Sequence, residues 1–177
     1  MSIVFPSAVF PQLKTDRLVL RELVHADSEQ LLAIRSNEAI NRFIGRSNQQ
    51  TMEAINQFIQ ARKKDRLDGK GVYWVIQLEN TPGVIGTICC WNFDYEAATA
   101  EIGYELLPAY HGKGLMREAI EKVIAFGFNN MLLKTITAWP MPQNEPSVKL
   151  LERSGFTYSE TIDGQLVYKL NNTSLVD

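Results

Sequence analysis

Cysteine is scarce in this sequence. Among its 177 residues there are two cysteines, and they are adjacent, at Cys89 and Cys90. Neighbouring cysteines cannot build the disulfide framework of a small secreted domain, and they lack the spacing of a metal site. The simplest interpretation is a protein of the reducing cytoplasm that holds no metal ion.

A large net charge and long apolar runs are also missing. The formal charge is −2 at pH 7, which argues against broad binding to nucleic acid, because such binding needs a basic surface. No stretch reaches the roughly 20 apolar residues that span a membrane as a helix. The N-terminal segment lacks a basic start and contains Pro6 and Pro11, so it does not resemble a signal peptide. We expect a soluble, unprocessed protein without nucleic-acid or membrane partners.

The size and the hydrophobic pattern predict one α+β domain over residues 1–177. Hydrophobic residues make up 45% of the chain, enough for a sizeable core. Alternating and β-branched patterns predict strands at 17–23, 72–78, 84–91, 99–107 and 134–139, and a closing hairpin that turns at Asp163 and Gly164. Helical periodicity predicts helices at 27–36, 51–68, 115–129 and 145–154. The sheet is expected to be mixed, mostly antiparallel and flanked by about four helices.

Local signals predict where the helices begin and end. Asp27 followed by Gln30 resembles a capping box for the first helix, and Ser47 or Thr51 can cap the second. Gly155 is predicted to end the last helix. The segment 42–50, between the first two helices, is predicted to be an exposed loop.

A predicted strand meets a predicted helix in the sequence AEIGYELLPAYHGKGLMREA, residues 100–119. Gly112 and Gly114 precede the helix, whose first amides have no intrahelical partners and attract anions. A nucleotide P-loop would need Gly-Lys followed by Ser or Thr, but Gly114 follows Lys113. A dinucleotide-binding loop would need a third glycine where Arg117 stands. The glycines therefore predict either a phosphate site of some other class or simple turns.

This loop resembles the acetyl-CoA pyrophosphate loop of the GNAT acetyltransferase superfamily, in which Gln or Arg, two residues, Gly, one residue and Gly or Ala follow each other. Gly112 and Gly114 match, whereas Ala109 stands at the first position. The pattern Pro-x-Tyr-x-Gly-x-Gly-x-Met is similar to the Rim-type branch (RimJ/RimL), which acetylates N-termini of ribosomal proteins. TDRLVLREL at 15–23, AEIGY at 100–104 and PQNEPSVKLLERSGF at 142–156 also resemble family motifs, in the family's order.

The resemblance implies a GNAT fold, in which the fourth and fifth strands splay apart and acetyl-CoA lies in the gap. It implies that Leu106 and Leu107 offer main-chain groups to the pantetheine arm and an amide to the developing oxyanion. It also implies that Asn144 bonds to the pantetheine and that Ser147 contacts the cofactor near its sulfur. Local chemistry alone predicts that Asn144 caps a helix with Pro146 in its first turn. The implied cofactor-binding residues are Leu106, Leu107, Gly112, Lys113, Gly114, Leu115, Met116, Asn144 and Ser147.

Acetyl transfer to an amine needs a neutral nucleophile and a proton for the departing thiolate. Glu101 and Glu105 share one face of a strand that the fold would bury, where carboxylates seldom lack a partner. Glu101 is the candidate base, directly or through a water. Glu105 is the alternative if a bulge at Gly103 changes its face. Ser147 and Tyr104 are the candidate acids. The competing interpretation is that both carboxylates form structural ion pairs with neighbouring strands.

Several further residues have a functional and a structural interpretation. Cys89 or Cys90 could carry an acyl group, but cysteine in an apolar strand usually packs as a small hydrophobic residue. His111 could touch phosphate, or simply be exposed. Aromatic and apolar side chains could line the acceptor site or serve the core; these are Phe43, Ile44, Trp91, Phe93, Tyr95 and Trp139.

The sequence favours an acetyl-CoA-dependent N-acetyltransferase in which a primary amine attacks directly. The acceptor is a protein N-terminus or a small-molecule amine. One alternative is a catalytically silent acyl-CoA sensor or interaction domain, and another is an unrelated α+β binding protein. Relatives of this type often dimerise, so a homodimer is also an open alternative.

Overall fold

The computed structural model describes residues 2–48 and 50–173. These residues form one open eight-stranded sheet and five α-helices. The strands are β1 (Leu13–Lys14), β2 (Leu18–Glu22), β3 (Gly71–Leu78), β4 (Val84–Asp94), β5 (Thr99–Leu106), β6 (Thr135–Ala138), β7 (Thr157–Ile162) and β8 (Gln165–Asn171). The helices are α1 (Ser28–Arg35), α2 (Glu38–Asn41), α3 (Met52–Leu67), α4 (Leu115–Asn129) and α5 (Glu145–Arg153). The predicted α+β fold is confirmed, and β1 and α2 are additions that the sequence did not predict.

The strand order is β1-β2-β3-β4-β5-β6-β8-β7, and β5 with β6 is the parallel pair in an otherwise antiparallel sheet. That parallel contact is short, since Thr99, Ala100 and Glu101 are the β5 residues that pair with β6. β5 nevertheless continues to Leu106. Beyond Glu101 its outer side has no partner strand in the described part of the chain. The two strands diverge, and a gap opens beside residues 102–106, as the family resemblance implied.

Helices cover both faces of the sheet. On the α4 face, α4 and α5 pack against strand residues such as Trp74, Ile88 and Ile136. On the α1–α3 face, the first three helices pack against Val75 and Val84. α4 buries Met116, Ile120, Val123 and Gly127 as its periodicity predicts. In α3, Ile55 and Ile59 are buried as predicted, but Met52 at its start is exposed. Within residues 2–48 and 50–173, no helix has the length and apolar character to cross a membrane.

Two of the predicted caps are present. Thr51 Oγ1 accepts a hydrogen bond from the Ala54 amide at 3.1 Å, at the start of α3. Asn144 Oδ1 accepts one from the Ser147 amide at 3.3 Å, at the start of α5. These side chains satisfy amides that have no partner inside the helix. At both positions the local sequence was therefore sufficient to predict the helix cap.

The predicted capping box of Asp27 and Gln30 is wrong. The Asp27 carboxylate instead accepts two hydrogen bonds from the Arg21 guanidinium, at 2.9 and 2.8 Å. Such a bidentate charged pair is stronger than a neutral cap. Gln30 Oε1 accepts from the Val84 amide at 2.7 Å. Both side chains serve contacts between α1 and the sheet, which the local sequence does not reveal.

The segment 42–50 is not uniformly exposed, contrary to the prediction. The Arg46 side chain is 13% exposed and donates to Asn41 Oδ1 at 2.9 and 2.6 Å. It also donates to Glu105 Oε2 on β5 at 2.7 Å. Asn41 in turn donates to the Arg35 carbonyl at 2.7 Å. A buried ion pair therefore holds this loop against the α1–α3 face.

Candidate active site

The loop before α4 has the geometry of an anion-binding helix start. Gly112 and Gly114 are left-handed, with φ of +72° and +73°, and Gly114 is the N-cap residue. No side chain caps the helix, so the amides of Leu115, Met116 and Arg117 have no intrahelical partners. A Cβ built on Gly112 would meet nothing within 4 Å. The backbone of this loop is therefore open to a phosphate group.

Glu118 connects this loop to the N-terminal segment. Its carboxylate accepts hydrogen bonds from Arg17 Nε at 2.7 Å, from the Arg17 amide at 3.0 Å and from the Thr15 hydroxyl. Arg17 Nη1 also donates to the Lys113 carbonyl at 2.9 Å. Burial acts to raise the pKa of Glu118, but the bonds from Thr15 and Arg17 lower it overall. The TDR motif at 15–17 signalled the family, but the sequence did not predict this positioning role.

The two cations beside the loop each have a local partner. Lys113 Nζ donates to the Ala109 carbonyl at 2.9 Å. Arg117 pairs with Glu121 at 2.8 Å, one helical turn away. Both cations are exposed, and nearby carboxylates offset the cost of positive charge at a helix start. Their side chains are therefore free to reorient toward a docked polyanion.

The main-chain groups that face the gap come from even-numbered residues of β5. Hydrogen-bonded residues alternate along an antiparallel strand, and the Leu107 amide donates to the Ile85 carbonyl at 2.9 Å on the β4 side. The register is regular from 101 to 106, so the amides of Tyr104 and Leu106 point toward the gap. Leu107 also accepts from the Tyr110 amide at 2.9 Å. Leu107 therefore does not offer the free main-chain groups expected of it, whereas the Leu106 amide does.

The loop and the end of β5 are tied together by His111. Its Nε2 lies 2.8 Å from the Leu106 carbonyl oxygen, within hydrogen-bond distance. The residue is exposed, as the structural interpretation predicted, but its ring nitrogen is engaged with the backbone. His111 therefore fixes the position of the loop relative to the gap.

Tyr104 and Ser147 join β5 to α5 across the α4 face. Their hydroxyl oxygens are 2.7 Å apart, and Asn144 holds the first turn of α5 through the Ser147 amide. Burial raises the pKa of Tyr104 to about 12, with the Ser147 hydrogen bond acting in the opposite direction. The Tyr104 hydroxyl is therefore protonated at neutral pH. The two candidate acids form one hydrogen-bonded pair beside the gap.

Glu101 lies at the point where β5 and β6 begin to diverge, paired with Trp91 on one side and Thr137 on the other. It makes no salt bridge with any residue in the described ranges. Burial raises its pKa above the ordinary carboxyl value, and a hydrogen bond with the Asn92 side chain acts to lower it. Asn92 has a left-handed backbone, with φ of +52°, at the bulge of β4. This bulge, which the sequence analysis missed, brings Asn92 to Glu101.

Glu105 is a structural carboxylate. It shares the α1–α3 face with Glu101, as predicted, because no bulge occurs at Gly103. Its side chain is 7% exposed and pairs with Arg46 at 2.7 Å, while Thr87 Oγ1 donates to it at 3.2 Å. The ion-pair interpretation therefore holds for Glu105, although its partner comes from a loop and not from a neighbouring strand.

The cysteines are poor nucleophiles. Burial raises the pKa of the Cys89 thiol to about 12 and also raises that of Cys90. Because the thiolate is the reactive form, an acyl-cysteine is disfavoured at neutral pH.

A groove runs over β3 and β4 beside α3, and we call it the α3 groove. Its lining includes Arg62, Asp65, Tyr73, Cys89 and Trp91. Trp91, Phe93 and Tyr95 are the proposed acceptor-wall residues that line this groove. Phe43, Ile44 and Trp139 do not belong to its lining. The groove lies on the same face as Glu101.

Comparison with known proteins gives the family. A family model described as an acetyltransferase (GNAT) domain matches residues 17–157. The uncharacterized N-acetyltransferase YoaA of Bacillus subtilis (strain 168) is 35% identical over 148 residues, which cover 84% of each chain. These matches confirm the superfamily that the sequence motifs resembled.

Solved structures share the fold. Ribosomal-protein-S5-alanine acetyltransferase from Vibrio fischeri superposes with a TM-score of 0.79 at 21% identity, covering 94% of this chain and all (100%) of that one. Spermidine N-acetyltransferase from Vibrio cholerae, in complex with CoA and spermine, gives a TM-score of 0.75 at 21% identity, covering 88% and 94%. With its loop, its divergent strands and its sequence matches, this chain belongs to the GNAT acetyltransferase family.

Proposed function

We propose that the protein is an acetyl-CoA-dependent N-acetyltransferase that moves an acetyl group directly to a primary amine. The observation that carries this proposal is the arrangement of Glu101 and Tyr104 on opposite faces of β5, beside the gap. A candidate base and a candidate acid on opposite sides can serve an amine and a thiolate that approach from opposite directions.

The residues present fit acetyl-CoA, which supplies the activated acetyl thioester when bound. The open backbone at Gly112 and the first amides of α4 would hold the pyrophosphate. Lys113, Gly114, Leu115 and Met116 belong to the same loop. The Leu106 amide and the Asn144 side chain are the groups expected to bond to the pantetheine arm. Ser147, in the first turn of α5, would lie near the sulfur.

Glu101 is proposed to take the proton from the acceptor amine, directly or through a water. Acceptor amines are mostly protonated at neutral pH, with pKa values near 8 for α-amino groups and above 10 for lysine-like amines. The raised pKa of Glu101 makes it a better base than an exposed carboxylate. Within residues 2–48 and 50–173 it makes no ion pair, and its side-chain hydrogen bond is with Asn92, so its carboxylate is not neutralised by a cation.

The Tyr104 and Ser147 hydroxyls are proposed to supply the proton for the departing thiolate. Their 2.7 Å separation lets a proton pass from one to the other. The raised pKa of Tyr104 keeps it protonated over the working range. The Leu106 amide, which faces the gap, is a candidate donor to the carbonyl oxygen of the acetyl group.

The acceptor is a protein N-terminus or a small-molecule amine, and the fold is compatible with both. The Vibrio proteins similar to this chain are a ribosomal-protein acetyltransferase and a spermidine acetyltransferase. We further propose that residues 1–177 form a single cytoplasmic domain, without nucleic-acid or membrane partners, and that a homodimer is compatible with the fold.

The test is a screen of an amine library with acetyl-CoA, reading released thiol and confirming the acetylated product by mass. We expect at least one amine to be acetylated. A protein that binds acetyl-CoA but acetylates no amine would instead be the silent acyl-CoA sensor. Failure to bind acetyl-CoA at all would overturn the cofactor assignment.

A further inference from the structure

Three rows of side chains cross the α1–α3 face from β3 through β4 to β5. The rows are Gly71, Trp91 and Glu101; Tyr73, Cys89 and Gly103; and Val75, Thr87 and Glu105. The middle row is partly exposed, with small residues at Cys89 and Gly103 and the Trp91 indole beside them, whereas the third row is buried. Glu101 and Glu105 are about 13 Å apart along the strand, at about 3.3 Å per residue. An acceptor whose amine meets Glu101 can therefore extend over the partly exposed middle row, toward the buried third row.

Three guanidinium groups lie near Glu105 and the Phe58 ring. Arg46 is bonded to Glu105. Arg35 and Arg62 both lie over the Phe58 ring, with Cζ at 3.9 and 4.8 Å from its centre. Tyr73 packs edge-on against the same ring, with ring centres 5.3 Å apart. Tyr73 belongs to the middle row and lines the α3 groove with Arg62. Arg62 therefore borders the acceptor face, and Arg35 shares the Phe58 ring with it.

Arg35 is distinguished from its neighbours by lacking a carboxylate partner. Arg46 has Glu105, and Arg62 has Asp65 at 2.7 Å. Across residues 2–48 and 50–173, Arg35 makes no ion pair, and its Nε is buried without a hydrogen bond. Glu105 also acts on Arg35 electrostatically, but burial and the charge of Arg46 dominate and lower the Arg35 pKa. The face that carries Glu101 therefore holds a desolvated cation that is poorly compensated.

A partly buried cation without a partner costs free energy, and an anion that pairs with it offsets this cost. The planar guanidinium fork matches a carboxylate or a phosphate with two parallel hydrogen bonds. The same cations would repel a polyamine. Resting on the N-acetyltransferase function proposed above, we propose that the acceptor carries, several bonds from its amine, a carboxylate or phosphate group that Arg35 binds.

The experiment uses pairs of amines that differ in one anionic group. One arm pairs ω-amino acids of increasing length with their carboxamides, and the other pairs amino-sugar phosphates with the unphosphorylated sugars. For each pair, kcat/KM of the anionic member is divided by that of the neutral member, in wild type and in Arg35→Met. Differences in intrinsic amine reactivity cancel when wild type and variant are compared. The arm with the higher wild-type ratio identifies the anion.

We expect wild type to prefer the anionic member of at least one pair. Arg35→Met, which keeps apolar contact with Phe58, should lower that ratio on the order of 10- to 100-fold, the range for losing a hydrogen bond to a charged group. Arg153→Met is the matched control, because Arg153 is exposed on α5, and its ratio should equal that of wild type. In wild type alone, hexanoate should compete with the acceptor and hexanamide should not.

Two results would overturn the proposal: a wild-type preference for the neutral member of every pair, or equal ratios in wild type and Arg35→Met. If Arg35→Met does not fold, equal inhibition of wild type by hexanoate and hexanamide would overturn it. These outcomes differ from failure of the proposed function, in which wild type would acetylate no amine of either kind.

Discussion

Two glutamates on the same strand face have different environments. Glu105 is fixed by Arg46 and Thr87. Glu101 makes no ion pair in the described part of the chain, has a hydrogen bond with the Asn92 side chain and is desolvated at the edge of the gap. A carboxylate that is desolvated without a neighbouring cation is a stronger base than an exposed one. These environments support Glu101 as the proposed base and Glu105 as a structural ion-pair partner.

Glu101→Gln should lower the rate of acetyl transfer on the order of 10²-fold, the low end for a positioned general base. Acetyl-CoA affinity should change little. Wild-type activity should fall as pH decreases through the raised pKa of Glu101, because the base becomes protonated. The variant should instead follow the pKa of the free amine and recover as pH rises. Wild-type rates in Glu101→Gln at pH 7 would remove Glu101 from the mechanism.

The same substitution should stabilise the fold at high pH. Because the folded-state pKa of Glu101 is raised, the native state binds more protons than the unfolded state between the ordinary and the raised value. Wild-type stability therefore decreases as pH rises through that window. Glu101→Gln removes this loss, so its Tm should exceed that of wild type at about pH 8, and the difference should shrink toward pH 4. A difference that does not vary with pH would show that Glu101 is not desolvated.

Tyr104→Phe and Ser147→Ala should each lower kcat, on the order of 10- to 100-fold, because each interrupts the same proton path. The double variant should be little slower than the slower single variant, since the two hydroxyls act as one unit. The raised Tyr104 pKa predicts no loss of activity from its ionisation below about pH 11. Fully multiplicative effects would show that the two hydroxyls act independently.

At the scale of elements, the start of α4 is positioned by a distant segment. Arg17 and Thr15, close to β2, hold the Glu118 carboxylate, and Arg17 also holds the Lys113 carbonyl. A loop whose shape is fixed before the ligand arrives pays less ordering entropy on binding. We therefore expect the N-terminal motif to affect acetyl-CoA binding through the position of the loop.

Arg17→Met should weaken acetyl-CoA binding on the order of 10-fold, equivalent to about 1.4 kcal/mol. The matched control is Lys14→Met, because Lys14 belongs to the same segment but pairs at the surface with Glu79. Its dissociation constant should equal that of wild type. Calorimetric titration measures both, and equal affinities in wild type and Arg17→Met would show that Arg17 does not position the loop.

Glu105→Ala should lower the free energy of unfolding by about 3 kcal/mol, because it leaves Arg46 buried without its partner. Glu160→Ala is the control, since its pair with Lys169 is largely exposed and such pairs contribute under about 1 kcal/mol. Chemical denaturation measures both variants. A loss for Glu105→Ala no larger than that for Glu160→Ala would mean that the ion pair does not hold the loop.

The sequence alone correctly predicted features whose contacts lie between residues close together in the chain. Thr51 and Asn144 cap their helices as expected, because their hydrogen bonds reach only three residues along the chain. Arg46 could not be assigned, since its carboxylate partner Glu105 is 59 positions away. The capping box at Asp27 failed for a different reason, because Arg21, six positions earlier on β2, forms a bidentate pair with its carboxylate.

For the whole molecule, the two sides of the site come from opposite layers. The layer of α4 and α5 provides the phosphate loop, Ser147 and the face of Tyr104. The layer of α1, α2 and α3 provides the groove and the cations around Phe58. In the proposed site, acceptor specificity can therefore vary in one layer without disturbing cofactor binding in the other.

An unpaired strand edge usually invites a foreign strand and leads to aggregation. Here the free edge of β5 lies inside the sheet, bounded at one end by its three pairs with β6 and near its other end by the contact between Tyr104 and Ser147. The side chains of a foreign polypeptide strand at this edge would collide with α5. A pantetheine arm, which carries a few amide groups and no side chains, would not. The free edge of β5 is thus open to the pantetheine arm that we propose to bind there, while α5 obstructs the addition of a foreign strand.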